Sequence, residues 1–313
     1  MWGYLRVCCL VTFALFAQPA VSDQADEIID LLGKASKALQ EKNYEGRFTY
    51  EFGSTLETLE LVHAVKDGLE YERVTHLSGL EREFVRGGRS LDCISPGSFL
   101  LRGGLVSSHS GIIGLNQNYR FYLQGEGRVA GRPAILIKLI PKDEYRYGMT
   151  LALDEASHIP LMVMTAASSK VALERFQFVE LTVGHEIDSE HLKPSALKHA
   201  KLDGSMTPCS NRPLQKAHWA SAWVPPGFVL SHSNNGQQGE SVLTYTDGVA
   251  SFTLFISPVE AGKALKEGVA VRGSTIALMT SVPHPSQKLS VILVGEVPLA
   301  TADRVANSVV GTQ

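Results

Sequence analysis

Tyr119 to Pro160 reads YRFYLQGEGRVAGRPAILIKLIPKDEYRYGMTLALDEASHIP. Arg120–Gln124 and Ala134–Ile140 are apolar strand candidates on either side of a glycine-rich turn. Thr150–Leu153 and, just past the stretch, Leu161–Thr165 continue the pattern, and Pro141, Asp143, Arg146, Tyr147 and Gly148 sit at fixed spacing between Ile140 and Thr150. Short strand-like runs separated by turn residues predict neighbouring antiparallel strands. No catalytic signature falls inside the stretch.

The same reading extends in both directions. Upstream, Phe48, Tyr50 and Phe52 alternate with Arg47, Thr49 and Glu51, and Leu59, Leu61, His63 and Val65 alternate with their neighbours. Asp67-Gly68 is a hairpin signal. Tyr71–Leu77, Glu81–Arg86 and Val171–Val183 add further runs. A helix is predicted over Asp23–Asn43, capped by Ser22 or Asp23, with Ile28, Leu31, Leu32, Ala35 and Leu39 as its apolar stripe. A sheet of nine or more strands curls, and a helix on one face closes it in part. Gly97–Gly114, with five glycines and four serines, reads as a flexible flap.

Downstream, Gly184–Ala217 has no period and is punctuated by Pro194, Gly204, Pro208 and Pro213, which predicts a linker, with a short helix at Ser195–Leu202. A second unit follows. Trp223-Val-Pro-Pro-Gly-Phe228 is a rigid turn entering a strand, and Asn234-Asn235-Gly236 a loop. Ser241–Tyr245 and Ala250–Ser257 flank Asp247-Gly248, and Ile276–Val282 and Lys288–Val294 give two more strands before a helix at Thr301–Val310. The expected class is α+β, mainly β. Its parts are a signal peptide (1–22), a large curved antiparallel sheet forming an unclosed barrel with helices (23–184), a linker (185–217) and a small α+β domain of four or five strands (218–313).

The N-terminus predicts export. Arg6 is the sole charge before Asp23, Val7–Ala17 is too short to span a bilayer, and Ala20-Val21-Ser22 offers a cleavage site after Ser22. No lipobox precedes Cys8 or Cys9. The mature chain carries 28 basic against 32 acidic residues, a net charge of −4, which argues against general nucleic-acid binding. Cys93 and Cys209 remain in an oxidising compartment. Either they form a disulfide, or Cys93 is buried and Cys209 is a free thiol; neither has a second metal ligand at zinc spacing.

Gly125, Gly127 and Ala130 fit a loose nucleotide fingerprint, but a strand rather than a helix follows, so a β-turn is the better reading. His185, Glu186 and His191 lack the four-residue histidine spacing of a zinc helix. No G-x-S-x-G is present, and no βα alternation that would carry one. The chain is therefore expected not to be an enzyme, with no cofactor and no metal. Asp143 and Arg146 either pair to fix a turn or leave Arg146 to bind a partner's carboxylate or phosphate; Arg128 and Arg132 pose the same choice. Phe48, Tyr50 and Phe52 with Phe121, and beside them Leu59 and Leu61, either fill a core or line a lipid-sized cavity.

Several segments together resemble the periplasmic sigma-E factor regulatory proteins, the RseB/MucB family. They are Tyr44-Glu-Gly-Arg-Phe-Thr-Tyr50, Glu81-Arg-Glu-Phe-Val-Arg86 and RVAGRPA from Arg128. Pro141-x-Asp143-x-x-Arg146-Tyr147-Gly148, Leu173-Glu-Arg-Phe-Gln-Phe178 and Trp223-x-Pro-Pro-Gly-Phe228 follow, then Tyr245-Thr-Asp-Gly248 with Phe252 and Phe255, and Val294-Gly-Glu-Val-Pro-Leu299. The resemblance implies a large domain like the lipoprotein carriers of the Lol system and a smaller second domain. It implies a periplasmic negative regulator that binds the periplasmic domain of a membrane anti-sigma factor and shields it from site-1 proteolysis, relieved by lipid or lipopolysaccharide. A homodimer stays open. The alternative is a lipid or lipoprotein carrier without a regulatory partner.

Overall fold

The computed structural model describes residues 21–90, 115–168, 171–195, 200–202, 216–260, 266–285 and 287–312. The expected signal-peptide core, the expected flap at 97–114 and both Cys93 and Cys209 lie outside the described residues.

Helix α1 (Val21–Glu41) starts two residues before the predicted Asp23. Its stripe (Ile28, Leu31, Leu32, Ala35 and Leu39) is buried as expected. The stripe joins one core with the inward side chains of a ten-stranded sheet. The strands are β1 (Tyr44–Phe52), β2 (Thr55–Lys66), β3 (Leu69–His76), β4 (Glu83–Ser90), β5 (Tyr119–Val129), β6 (Arg132–Pro141), β7 (Gly148–Asp154), β8 (Pro160–Ala166), β9 (Ala172–Val183) and β10 (Ala200–Leu202). A single-turn helix, α2 (Leu115–Asn118), leads into β5. The spatial order is β10-β4-β3-β2-β1-β9-β8-β7-β6-β5, so the sheet does not close. It curls all the same: β5 returns to touch β9, although β6, β7 and β8 lie between them, and α1 lies on β5.

Bulges supply the curl, because an extra residue on one strand bends it and raises the local twist. Register shifts occur at Arg47/Phe48, Glu70/Glu72, Leu123/Gly125, Ala152/Leu153 and Thr165/Ala166. Gly46 is required beside the first of them. A Cβ there would meet the backbone oxygen of Glu180. The Gly125–Ala130 fingerprint runs along β5 into its hairpin with β6, where Val129 pairs Arg132. Gly125 and Gly127 are therefore strand residues paired with Leu136 and Ala134, and the turn itself is Ala130-Gly131.

The Ser195–Leu202 helix is corrected: Ala200–Leu202 is β10, parallel to β4. The Glu83 carboxylate accepts from both the amide (2.7 Å) and the hydroxyl (2.9 Å) of Ser195, which aligns the incoming chain with the β4 edge. The predicted linker is thus held to the large sheet over its first part. Ile187 is buried on Val62 and Ala64, and a 3-10 turn follows at Ser189–Leu192.

The second unit is larger than four or five strands. Six form an antiparallel sheet in the order β12-β13-β14-β17-β16-β15. They are β12 (Val229–Asn235), β13 (Ser241–Thr246), β14 (Ser251–Pro258), β15 (Gly268–Arg272), β16 (Thr275–His284) and β17 (Gln287–Gly295). β11 (Trp219–Ser221) and β18 (Val309–Gly311) make a separate ribbon. The C-terminal helix is α3 (Leu299–Asn307); Val309 and Val310, predicted helical, are strand residues because Ser221 and Ala220 give them a partner. Ala302, Val305 and Ala306 of α3 join the core with Leu254, Ile256, Leu289, Val291 and Leu293. The chain is mainly β, with few helices.

Candidate functional site

The turn between β6 and β7 meets the second unit. Asp143 accepts from the Tyr145 amide (3.0 Å), folding the turn back on itself, and pairs with Arg146 at 3.0–3.1 Å. That is the turn-fixing pair expected from the spacing. Arg146 does more. Its side chain is wholly buried and donates to Asp247 Oδ2 (2.5 Å) and to the Pro226 carbonyl (2.5 Å), both in the second unit. Tyr119 donates to the same Asp247 oxygen (3.0 Å), and the guanidinium lies over the Tyr119 and Phe228 rings. Asp247 Oδ1 accepts from the amides of Val249 and Ala250, so no carboxylate oxygen is left over.

Neighbouring contacts widen the joint. Tyr147 donates to the Val297 carbonyl (3.3 Å), Thr301 to the Tyr145 carbonyl (3.2 Å), and Tyr145 packs edge-on against Trp223, which Arg304 covers. Val249 belongs to the core of the large sheet. Four segments singled out from sequence, around Arg146, Pro226, Asp247 and Val297, are therefore one interface. Sequence reasoning missed that they meet. Asp247 read as a hairpin residue, and nothing local marks it as the counter-ion of an arginine about 100 residues away.

A second joint lies at the tip of the β15–β16 hairpin. Glu174 accepts from the Ser274 hydroxyl (2.7 Å) and amide (3.2 Å) and from the Tyr50 hydroxyl (2.8 Å). Arg272 stacks over Phe52 and pairs with Glu57 at 3.3 Å. Burial and then the Glu174 carboxylate push the Tyr50 phenol well above its ordinary range. The same two causes push the Glu296 carboxyl up to about 8. The folded protein thus holds a proton on Glu296 that the unfolded chain releases near its ordinary carboxylate value. Stability from that proton is complete below about 4.5 and is lost as pH rises through about 8. The urea midpoint is expected to fall between pH 5 and pH 8, and Glu296→Gln to flatten that fall; a wild-type profile already flat over this window would contradict it.

Of the six residues predicted to face a lipid, Phe48, Tyr50, Leu59, Leu61 and Phe121 are buried in the α1 core and Phe52 is partly buried beside it. The structure brings them together, packed on α1 and on Phe176 and Phe178. Arg132 forks onto buried Asp154 (2.7 and 2.9 Å) within the large sheet, while Arg128 is exposed. Burial would raise the Asp154 carboxyl; the Arg132 fork and the bonds from Ser157 outweigh it and hold it low. His185 and His191 both approach Glu45, beside a recess of about 320 Å³ on the outer face that Arg47, Glu60, Arg73 and Glu180 line. Those arginines are paired with the acids around them. Among the described residues no cluster of three or more His, Cys, Asp or Glu is arranged for a metal, and no helix is long and apolar enough to cross a membrane.

The MucB/RseB N-terminal domain model matches residues 27–196 and the MucB/RseB C-terminal domain model residues 213–310. The chain belongs to the MucB/RseB family. The sigma factor AlgU regulatory protein MucB of Pseudomonas aeruginosa is 33% identical over 96% of this chain and 95% of its own length. The sigma-E factor regulatory protein RseB of Escherichia coli K12 is 27% identical over 89% of each. Among solved structures, the P. aeruginosa MucA/MucB complex superposes with a TM-score of 0.69 at 31% identity, covering 92% of this chain and 99% of that one. A crystal structure of MucB in complex with MucA(peri) gives 0.68 at 32% identity, covering 91% and 98%. The motifs that carry the family resemblance are, in large part, the residues of the joint between the two units.

Proposed function

We propose that this MucB/RseB protein acts in the periplasm as a negative regulator of an envelope-stress sigma factor. It binds the periplasmic domain of a membrane anti-sigma factor and shields it from the site-1 protease. The carrying observation is the match along both units to MucB, a protein solved together with MucA. Two β-rich units held by buried polar joints offer a rigid surface, and covering a scissile segment denies a protease the extended conformation it needs. Lipid or lipopolysaccharide relieves the shielding. The acyl chains would take the place of the α1 stripe against Phe48, Tyr50, Phe52, Leu59, Leu61 and Phe121. If lipid and anti-sigma factor favour different arrangements, each weakens the other by one factor, and a coupling of about 1–3 kcal/mol gives roughly 5–150-fold relief. Titration calorimetry of the mature chain with the periplasmic domain of its cognate anti-sigma factor is expected to give micromolar or tighter binding. Absence of heat at those concentrations would remove the proposal.

A further inference from the structure

The β15–β16 hairpin forms one side of the small sheet, with β16 paired to β17 and β15 outermost. All five residues of β15 are exposed, Val269 and Val271 by 50% and 68%. β15 is the outermost strand of its sheet, and among the described residues no strand lies beyond it. One row of its N–H and C=O groups therefore faces outward. Soluble proteins blunt such edges with lysine, proline or a bulge. Gly268-Val-Ala-Val-Arg272 has neither residue and pairs with β16 without a register shift. Its one charge, Arg272, is turned back onto Phe52 and Glu57. The hairpin's tip is fastened to the large sheet through Ser274 and Glu174, so the edge is held in place before anything binds.

The surface beside the tip adds charge and apolar area. Glu57 receives both Arg272 (3.3 Å) and Arg82 (3.8 Å), each about half exposed. Its third neighbour, His76, is held below its ordinary range by burial and by Arg82. Two partly exposed guanidiniums thus share the one Glu57 carboxylate. Leu56 at the start of β2, and Leu77 and Leu80 in the adjoining β3–β4 connection, are exposed. A backbone edge is recognised by another backbone, which favours a polypeptide over a lipid.

We propose that the outer edge of β15 is where the anti-sigma segment docks, as an added strand. That segment lays an apolar side chain over Val269 and Val271, which share one face, and offers a carboxylate to Arg82 and Arg272. The inference rests on the partner reading above and names the place of contact.

The test uses the full mature chain and the cognate anti-sigma periplasmic domain, with calorimetry and amide hydrogen exchange. Val269→Lys/Val271→Lys is expected to weaken binding about tenfold or more. Val269→Thr/Val271→Thr, which keeps a β-branched edge, is expected to stay within about threefold. Amides of 268–272 are expected to slow on binding. No binding by the unsubstituted chain removes the partner reading and this proposal with it. Normal binding by the lysine variant, or amides at 268–272 that gain no protection, overturns the edge alone. So does an equal loss in the threonine variant, which would mean side-chain rather than strand recognition. Self-association lost in the lysine variant with partner affinity unchanged would assign the edge to a second copy and overturn the proposal.

Discussion

Arg146→Ala is expected to cost about 3–5 kcal/mol of stability, because it leaves Asp247 charged and buried without its partner. Both side chains have no solvent exposure, so water cannot step in for the missing guanidinium. The same substitution strips a donor from the Pro226 carbonyl and from Asp143. Tyr119 and two backbone amides would still donate to Asp247, which keeps the loss finite. Arg146→Lys recovers little, since one ammonium cannot reach Asp143, Asp247 and Pro226 from a planar fork. Arg146→Met with Asp247→Leu is expected to recover a large part, as the stranded charge goes with its partner. Urea unfolding followed by the fluorescence of Trp219 and Trp223 reads the effect. A loss below about 1 kcal/mol in Arg146→Ala would mean that the joint contributes nothing beyond an exposed pair.

Phe48→Ala is expected to be equally severe, about 3–5 kcal/mol. Phe48 is 2% exposed and packs on Phe176 at 4.7 Å and Phe178 at 5.9 Å between ring centroids. Truncation removes the ring's transfer energy and leaves a void under α1. Phe48→Leu, nearer in volume, is expected to cost less than about 2 kcal/mol. If Phe48 instead lined an open cavity, its removal would enlarge existing space and both costs would shrink together. Denaturation of the two variants separates these cases.

Much of the fold is legible because it repeats a local rule. The α1 stripe keeps helical spacing, and Asp67-Gly68 closes the β2–β3 hairpin it signals. The quoted stretch gives β5, β6 and β7 in order and ends on the first residue of β8. What failed depends on partners far along the chain. Ala200–Leu202 is extended because β4 offers a free edge, and Val309 because β11 does. β15 is short and lies on no core, so it has no burial period to detect. The site divides in the same way. The Asp143–Arg146 pair is visible in four residues of sequence, whereas Asp247, Glu174 and Ser274 acquire their roles only when two units meet. The raised Glu296 carboxyl is likewise a product of burial at that contact. The aromatic row left core and cavity open because alternation alone cannot tell a filled interior from a hollow one.

Shielding is tested most directly by the rate at which the site-1 protease cuts the anti-sigma periplasmic domain, with and without a saturating amount of the mature chain. Slowing by about tenfold or more is the predicted result, with Val269→Lys/Val271→Lys protecting poorly at the same concentration. Cutting at an unchanged rate, under conditions where calorimetry shows the two proteins bound, would contradict it.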